Sequence, residues 1–223
     1  MTDSHCHVSG GDPSVREFLI GRDFIGVHPW ETREQGIGNR EQELDDLSRR
    51  LQVDSHLGVG EIGLDRLKER TISNRMRETF ESQLQLAATF HRPVVLHGAK
   101  CWGQVVSTIR RLFPVPCSLF PIPSFLFHGF SRSDGLIPDI VALGGYISVG
   151  PAVLNDHAVN YRELVKKIPI ERLLLETDRT QENAMECPSV AEVAVEVAKL
   201  RGLSLSELEA LTDRNAGRFF PDP

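Results

Sequence analysis

Short apolar runs alternate with longer amphipathic segments along most of the chain. Seven runs have the length and residue types of β-strands, and they cover residues 3–7, 24–27, 57–60, 93–96, 125–127, 146–149 and 173–175. Most are apolar on both faces, which is typical of strands in a parallel sheet that helices cover on the outside. The pattern therefore predicts repeated strand–helix units in an α/β protein.

The segments between these runs predict helices. They cover residues 13–20, 39–51, 74–90, 102–112, 135–143 and 161–167, and two more follow between residues 189 and 218, separated at Gly202. The first of them has Asp12 in the N-cap position and Pro13 in the first helical position, which is a common way for a helix to begin. A connection with several prolines, residues 113–123, follows the segment 102–112.

Seven strand–helix units in 223 residues favour a TIM-type (β/α) barrel made of a single domain, residues 1–223. Residues 189–218 predict helices only, so the barrel is expected to be distorted or to lack a clear eighth strand. A doubly wound open sheet is the alternative that this pattern leaves open. The sequence contains no internal repeat and no linker-like stretch that would indicate a second domain.

Composition and charge narrow the possible functions. The chain is 40% hydrophobic and 25% charged, as is typical of globular proteins with a substantial core. A net charge of −6 gives no overall basic field for nucleic acid, although it does not exclude a locally basic cleft. The cysteines form no C-x-x-C motif or disulfide framework, and no apolar stretch suggests a membrane span or a signal peptide. We therefore expect a cytoplasmic monomer with no membrane or protein partner.

Metal-type side chains stand at the carboxyl ends of the predicted strands. Four apolar runs each lead into one such residue: Glu61, His97, His128 and Asp178. The first run carries His5 and His7, which share one face of a strand because successive side chains alternate. The carboxyl ends of barrel strands converge on one site. Each residue alone has an ordinary structural explanation, but the set predicts a site for one or two divalent metal ions.

Several motifs carry a resemblance to a known family. They are D-S-H-C-H at residues 3–7, G-V-H-P at 26–29, G-E-I-G-L-D at 60–65, H-G-F-S at 128–131, L-L-E-T-D at 174–178 and N-A-G-R-F-F at 215–220. Over nearly the whole chain they resemble the TatD-type metal-dependent hydrolases, which are amidohydrolase-like TIM barrels. The resemblance implies that six residues hold the metal ions: His5, His7, Glu61, His97, His128 and Asp178. It also implies that two ions share Glu61.

The resemblance also implies an activity. It indicates a deoxyribonuclease that cleaves phosphodiester bonds at DNA ends with metal-activated water. The family favours Mg²⁺ or Mn²⁺, whereas the histidine-rich ligand set by itself suits Zn²⁺ equally well. We expect Asp178 to orient the water and accept its proton, and Glu61 to act as the shared catalytic ligand. Asp3 and Glu176 are expected to support the ligands from behind.

The chain departs from the family pattern in the loops that would hold the substrate. Residues 98–101 read G-A-K-C where the family has S-R-D-A, and residues 179–181 read R-T-Q where it has S-P-Y. Trp30 stands where the family has the second histidine of G-x-H-P-H. These departures leave the metal ligands intact and bear on the identity of the substrate.

Several side chains near the strand ends are candidates for binding the substrate. Four basic residues would make the mouth of the barrel locally positive: Arg66, Lys100, Arg132 and Arg179. Ordinary solvated loop charges are the alternative explanation for these four. His28 is expected to contact the substrate or a metal ion, or else to cap its loop before Pro29. Trp30 would stack on a base, or else pack as a half-buried loop residue.

Two other functions are left open by the sequence. An amidohydrolase-like enzyme with the same metals would act on an amide, an ester, a lactone or an aminoacyl-tRNA ester. A metal-binding protein without catalysis is the other, although Asp178 argues against a purely structural site, which needs no open position for water. Residues 58–63 satisfy the dinucleotide-binding pattern G-x-G-x-x-G, but Glu61 would lie against the pyrophosphate and no clear helix follows.

Overall fold

Parallel strands form the inner layer of the protein, and helices lie outside them. The computed structural model describes residues 1–32, 40–68, 70–114 and 122–221. Within these residues the strands are β1 (Thr2–Cys6), β2 (Arg16–Leu19), β3 (Phe24–Ile25), β4 (Gly58–Asp65), β5 (Val94–Ala99), β6 (Phe125–Phe127), β7 (Tyr146–Val149) and β8 (Leu173–Leu175). The helices are α1 (Arg40–Val53), α2 (Asn74–Thr89), α3 (Trp102–Leu112), α4 (Ile137–Ala142), α5 (Val159–Lys167), α6 (Val190–Arg201) and α7 (Leu205–Phe219).

The strands form a distorted barrel. Strands β3 to β8 pair in parallel in sequence order, and β1 and β2 form a second parallel pair. At one edge, Ile20 and Phe24 form a parallel bridge between the end of β2 and β3. At the other edge, the Asp178 N–H donates to the His5 carbonyl at 3.0 Å, and the His7 N–H donates to the Arg179 carbonyl at 2.8 Å. The predicted α/β barrel is confirmed, and the doubly wound alternative does not apply.

Strand β2 is not predicted from the sequence. A helix is predicted at residues 13–20, and this prediction is wrong, because Arg16–Leu19 forms β2 beside β1. Asp12 does cap a turn: its side chain accepts from the Ser14 N–H at 2.9 Å, and its carbonyl accepts from the Val15 N–H at 3.1 Å. The chain then becomes extended. An Asp-Pro pair starts a turn as readily as a helix, and four residues are too few to show a strand period.

The other predicted elements lie where the sequence places them. Residue 39, where the predicted helix 39–51 begins, lies outside the described residues, as do residues 115–121 of the connection after α3. Residues 58–63 belong to the continuous strand β4 rather than to a strand–turn–helix unit, so they do not form a dinucleotide site. Among the described residues, no helix is long and apolar enough to cross a membrane.

Successive side chains of each strand face the helices and the barrel interior in turn, and this alternation determines which side chains line the site. Inside the barrel, Phe24, Val95, Leu126 and Leu174 pack with Phe219 of α7 in one cluster, which we call the apolar floor. The rings of Phe24 and Phe219 stack with their centroids 5.8 Å apart. Residues two positions further along a strand face the same side. The next inward-facing side chains therefore lie above the apolar floor, toward the carboxyl ends of the strands.

Candidate metal centre

Charged and polar side chains occupy these next inward-facing positions. His97, His128 and Glu176 each stand two residues beyond a member of the apolar floor. On β4, Glu61 and Asp65 share a face because they are four positions apart, an even step along a strand. The period of the strands thus gathers ionisable groups over an apolar layer, where low polarity strengthens the interactions between charges.

Glu61 lies at the centre of this cluster and is only 4% exposed. Its Oε1 lies 2.5 Å from His128 Nε2 and 2.6 Å from His97 Nδ1. Its Oε2 lies 3.5 Å from His7 Nε2 and 3.7 Å from His5 Nε2. The two oxygens of one carboxylate therefore face two different sets of imidazoles.

Asp178 completes the set that contains His5 and His7. Its Oδ1 lies 3.4 Å from His5 Nε2 and 3.6 Å from His7 Nε2. The Asp178 side chain is 50% exposed whereas that of His5 is fully buried, so Asp178 lies on the solvent side of the cluster. The backbone of Asp178 has a φ of 51°. This left-handed conformation costs about 1–3 kcal/mol for most residues other than glycine, and such residues concentrate at functional sites.

Burial and charge shift the pKa values of the cluster in opposite directions. Burial raises the pKa of Glu61, but attraction to His128 and hydrogen bonds from the surrounding histidines outweigh it and hold this pKa well below its usual range. Burial lowers the pKa of His128, but Glu61 raises it to about 10. Burial, together with repulsion from His128, lowers the pKa of His5 to about 4. Near pH 7 and without metal, Glu61 is thus ionised and His5 neutral, which are the forms that bind metal, whereas His128 is protonated and would release that proton on binding an ion.

These side chains fit one or two divalent cations. Both ring nitrogens of His5 are buried and have no hydrogen-bond partner among the described residues, and a buried polar atom of this kind costs about 1–3 kcal/mol unless something binds it. Three groups of ligand atoms each lie within 4.8 Å of one another: His5, His7 and Glu61; His5, His128 and Asp178; His28, Glu61 and His97. Imidazole nitrogens with carboxylate oxygens suit Zn²⁺, Mn²⁺ and similar ions.

Asp3 supports the cluster through the backbone. Its carboxylate accepts from the Thr177 N–H at 3.0 Å, from the Thr177 hydroxyl at 2.6 Å and from the His5 N–H at 3.3 Å. Among the described residues it makes no hydrogen bond to an imidazole, so its support acts through the backbone of His5 and Thr177. Burial raises the pKa of Asp3 to about 6. Asp3 ties β1 to the end of β8 and thereby fixes the segment that carries Asp178.

Glu176 occupies the corresponding position behind His128. Its Oε1 accepts from the Gly129 N–H at 2.8 Å, and its Oε2 accepts from the Ser148 hydroxyl at 2.5 Å. The same Oε2 lies 3.8 Å from His128 Nδ1. Burial raises the pKa of Glu176 to about 7. This geometry matches the predicted supporting role, because Glu176 holds the backbone next to a ligand imidazole.

Asp65 is a functional residue that the sequence analysis does not identify. Its Oδ2 accepts from His97 Nε2 at 2.8 Å and from the Trp30 indole N–H at 2.8 Å. The first bond fixes the hydrogen on His97 Nε2 and leaves Nδ1 facing Glu61. Burial raises the pKa of Asp65, but the hydrogen bond from His97 and three others hold it well below its usual range. The strand period could have revealed Asp65, since it shares a face of β4 with Glu61.

Replacing Asp65 with asparagine is expected to lower both metal affinity and kcat/KM by roughly 10- to 100-fold, because such partners orient a ligand imidazole and set its basicity. Metal titration and steady-state kinetics measure the two effects. Asp45→Asn, on the exposed surface of α1, is the matched control and should behave as the wild type. Unchanged metal affinity in Asp65→Asn would contradict the assigned role.

His28 lies against the cluster. Its Nε2 is 3.6 Å from Glu61 Oε1, and its ring centroid is 4.8 Å from that of His97. The buried side chain of Gln83 holds the segment before it, since Gln83 Oε1 accepts from the Val27 N–H at 2.7 Å and Nε2 donates to the Val27 carbonyl at 3.1 Å. His28 is therefore held where it can reach a metal ion or a substrate bound to one.

The basic residues that are predicted to bind phosphate differ in their exposure and in their hydrogen bonds. Lys100 and Arg132 are exposed, and each has a φ of 58°. Arg66 is also exposed, and its Nε donates to the Arg70 carbonyl at 3.2 Å. These three cations remain candidates for binding a phosphate group.

Arg179, the fourth of these basic residues, uses its guanidinium within its own loop. Its guanidinium donates to the Ala184 carbonyl at 2.6 Å and to the Cys187 carbonyl at 3.1 Å. The side chain therefore braces the loop that follows β8, and its predicted contact with the substrate stays a prediction. The physical reason for this bracing is that buried or partly buried loop carbonyl groups need donors, and Arg179 supplies them to Ala184 and Cys187.

A cavity of about 1280 Å³ opens beside Asp178. Arg132, Tyr161 and Lys167 are among the residues that line it, together with Glu176. Its size exceeds that of most small-ligand sites, so it has room for a substantial part of a substrate beside Asp178.

The barrel and its cluster of imidazoles and carboxylates define a class, the metal-dependent hydrolases built on (β/α) barrels. The family model described as TatD related DNase matches residues 21–221, which is most of the chain. The chain therefore belongs to the TatD related DNase family. The family resemblance and the hydrolase class that the sequence predicts are both confirmed.

Individual relatives agree with this assignment. The "uncharacterized metal-dependent hydrolase YcfH" of Escherichia coli (strain K12) is 26% identical over 266 aligned positions, which cover 99% of this chain and 95% of that protein. The "3'-5' ssDNA/RNA exonuclease TatD" of Klebsiella pneumoniae (strain 342) is 29% identical over 207 positions, or 87% of this chain and 75% of that protein. The crystal structure of the TatD homologue YjjV from Escherichia coli K12 has a TM-score of 0.72 at 24% identity, covering 96% of this chain and 79% of that one.

Proposed function

We propose that the protein hydrolyses phosphodiester bonds at the ends of single-stranded nucleic acids, with DNA as its main substrate. One divalent ion would be held by His5, His7, Glu61 and Asp178, and a second by Glu61, His97 and His128. Mg²⁺ or Mn²⁺ is the expected metal, with Zn²⁺ as the alternative that this ligand set also suits. Glu61 carries the proposal, because a carboxylate whose two oxygens face separate ligand sets is suited to bridge two ions acting on one phosphate.

The bound ions and Asp178 would have different roles in the reaction. When bound, the ions would lower the pKa of a coordinated water and offset the negative charge that builds on the phosphate. Asp178 is placed to orient that water and take its proton, because its carboxylate is half exposed at the edge of the cluster. Burial raises the pKa of Asp178, but its contacts with His5 outweigh this and hold the pKa below its usual range. The proton acceptor is therefore ionised at neutral pH.

Two observations support nucleic acid as the substrate. Relatives from Edwardsiella piscicida and Klebsiella pneumoniae are described as 3'-5' ssDNA/RNA exonucleases. In this chain, Lys100 and Arg132 offer exposed cations near strand ends that carry proposed ligands, despite the net charge of −6. An ester, amide or lactone would use the same metal ligands, and substrate assays separate these possibilities.

Removal of the metal is expected to abolish hydrolysis and to lower the Tm. Protein treated with a chelator is titrated with Mg²⁺, Mn²⁺ or Zn²⁺ and assayed on single-stranded DNA labelled at either end, on RNA, and on a panel of esters, amides and lactones. Binding at a hundred times the dissociation constant stabilises a fold by about 2.7 kcal/mol, which raises the Tm of a domain of this size by roughly 5–10 °C. Metal content and Tm are measured on the same samples.

The outcomes of these assays distinguish the possible functions. Metal-dependent shortening of single-stranded DNA from one end supports the proposal, and double-stranded DNA is the control for strand preference. Turnover of an ester, an amide or a lactone without shortening of DNA or RNA would replace the proposed substrate. Bound metal with no turnover of any substrate would indicate a metal-binding protein without catalysis.

A further inference from the structure

The side chain of Trp30 is held firmly beside the metal ligands and is still partly exposed. Its indole N–H donates to Asp65 Oδ2 at 2.8 Å. Its ring centroid lies 4.6 Å from that of His28 and 6.0 Å from that of His97, edge to face in both cases. The residue is nevertheless 41% exposed. A purely structural role would need only the N–H that faces Asp65, so the exposed ring surface is available for a ligand.

Lys68 adds a positive charge at the same place. Its Nζ lies 3.2 Å from the centroid of the Trp30 ring, a cation–π contact, and such contacts contribute about 0.5–2 kcal/mol. The Lys68 N–H donates to Asp65 Oδ1 at 2.9 Å, so Asp65 anchors both residues. No carboxylate among the described residues forms an ion pair with Lys68 within 4.0 Å. Within the part of the chain that the structure describes, the ammonium is therefore held beside Trp30 without an ion-pair partner.

We propose that Trp30 and Lys68 form a subsite that binds one nucleotide of a single-stranded substrate, with the exposed indole surface that Lys68 does not cover stacking on the base and the Lys68 ammonium binding the adjacent phosphate. This inference rests on the proposed function. An aromatic surface next to a cation is the combination that binds single strands without regard to sequence, because every base has a π face and every nucleotide a phosphate. Trp30 departs from the family pattern, so the subsite would give this chain a substrate preference of its own.

Substitutions at Trp30 separate stacking from the support of Asp65. Trp30→Phe and Trp30→Leu both remove the indole N–H, but only Trp30→Phe keeps an aromatic face. Stacking contributes about 1–3 kcal/mol per base, so we expect the KM for a single-stranded oligonucleotide to be roughly 5- to 150-fold higher in Trp30→Leu than in Trp30→Phe. For an abasic oligonucleotide of the same length, which has no aromatic ring to stack, the two variants should have equal KM. Equal KM values for the oligonucleotide that carries bases would overturn the stacking role.

Lys68→Gln tests the phosphate contact. Loss of one phosphate contact should reduce the slope of log affinity against log salt by about 0.7 for a single strand. Lys199→Gln, on the exposed surface of α6, is the matched control and should leave the slope unchanged. A wild-type slope in Lys68→Gln would overturn the phosphate contact.

Tryptophan fluorescence tests the subsite without relying on catalysis. The chain has two tryptophans, and Trp102 is only 5% exposed. Stacking of a hydrolysis-resistant phosphorothioate oligonucleotide should therefore quench Trp30, both in the wild type and in Trp102→Phe. Absence of quenching at saturating oligonucleotide would overturn the subsite. Quenching by this oligonucleotide, combined with no cleavage of an unmodified oligonucleotide of the same sequence, would contradict the proposed function and leave the subsite standing, so the two failures are distinguishable.

Discussion

Replacing Glu61 with glutamine is expected to remove most of the bound metal and to lower kcat/KM by about a thousandfold or more. Glutamine has nearly the same shape, but it is neutral and offers only one oxygen, so it cannot serve both sets of imidazoles. Metal ions contribute several kcal/mol of transition-state stabilisation, and each 1.36 kcal/mol is a factor of ten in rate. Metal content by mass spectrometry and steady-state kinetics on single-stranded DNA measure both effects.

The matched control for this change is Glu171→Gln. Glu171 is exposed and precedes β8, so it lies at the opposite end of that strand from Glu176 and Asp178. The control should retain the metal content and the kcat/KM of the wild type. Two metal ions per chain in Glu61→Gln would show that other residues bridge the site, and the central place of Glu61 in the proposal would then be wrong.

The regular part of the fold could be predicted from the sequence because it follows simple periods. Runs such as 94–96 and 125–127 are apolar on both faces because they lie between the barrel interior and the helices. Strand β2 could not be predicted in this way. Its burial depends on pairing with β1 and on contacts of Phe18 with Phe24 and with Phe219, and Phe219 is distant in sequence. Tertiary context therefore overrides the local signs of a helix at Asp12 and Pro13.

The positions of the proposed metal ligands could be predicted because they also follow the strand period. A side chain two residues beyond an inward-facing apolar residue also faces inward, which places His97 and His128 near Glu61 before any distance is known. The supporting contacts could not be predicted so directly. The bond between Asp65 and the Trp30 indole depends on where the segment after β3 places Trp30, which no period describes.

The loops set the limit of what the sequence reveals about the substrate. Arg179 looks like a phosphate contact in the sequence, because it is basic and follows Asp178 directly. In the structure its guanidinium binds carbonyl groups of its own loop. Lys68 shows the opposite case, since only its position over the Trp30 ring distinguishes it from other surface lysines. Side-chain direction in a loop depends on hydrogen bonds that residue type does not specify.

Replacing Asp178 with asparagine is expected to lower kcat by about 10²- to 10⁴-fold, the range that a positioned proton acceptor contributes. Asparagine is the suitable replacement because it tolerates the φ of 51° at this position, whereas alanine would add strain. His5, His7 and Glu61 remain to hold an ion, so metal binding should weaken much less than in Glu61→Gln. The KM for single-stranded DNA should change little, and single-turnover kinetics at saturating metal measure the chemical step.

Asp156→Asn is the matched control, because it makes the same replacement at another position on the carboxyl side of the strands. Asp156 lies between β7 and α5, and its side chain is 87% exposed. This variant should match the wild type in kcat and metal content, because its carboxylate lies outside the metal cluster. If Asp178→Asn kept a kcat within threefold of the wild type at full metal occupancy, proton transfer to Asp178 would be excluded. Asp178 would then act only as a ligand. The proton would instead have to pass to solvent or to His28, whose Nε2 lies 3.6 Å from Glu61 Oε1.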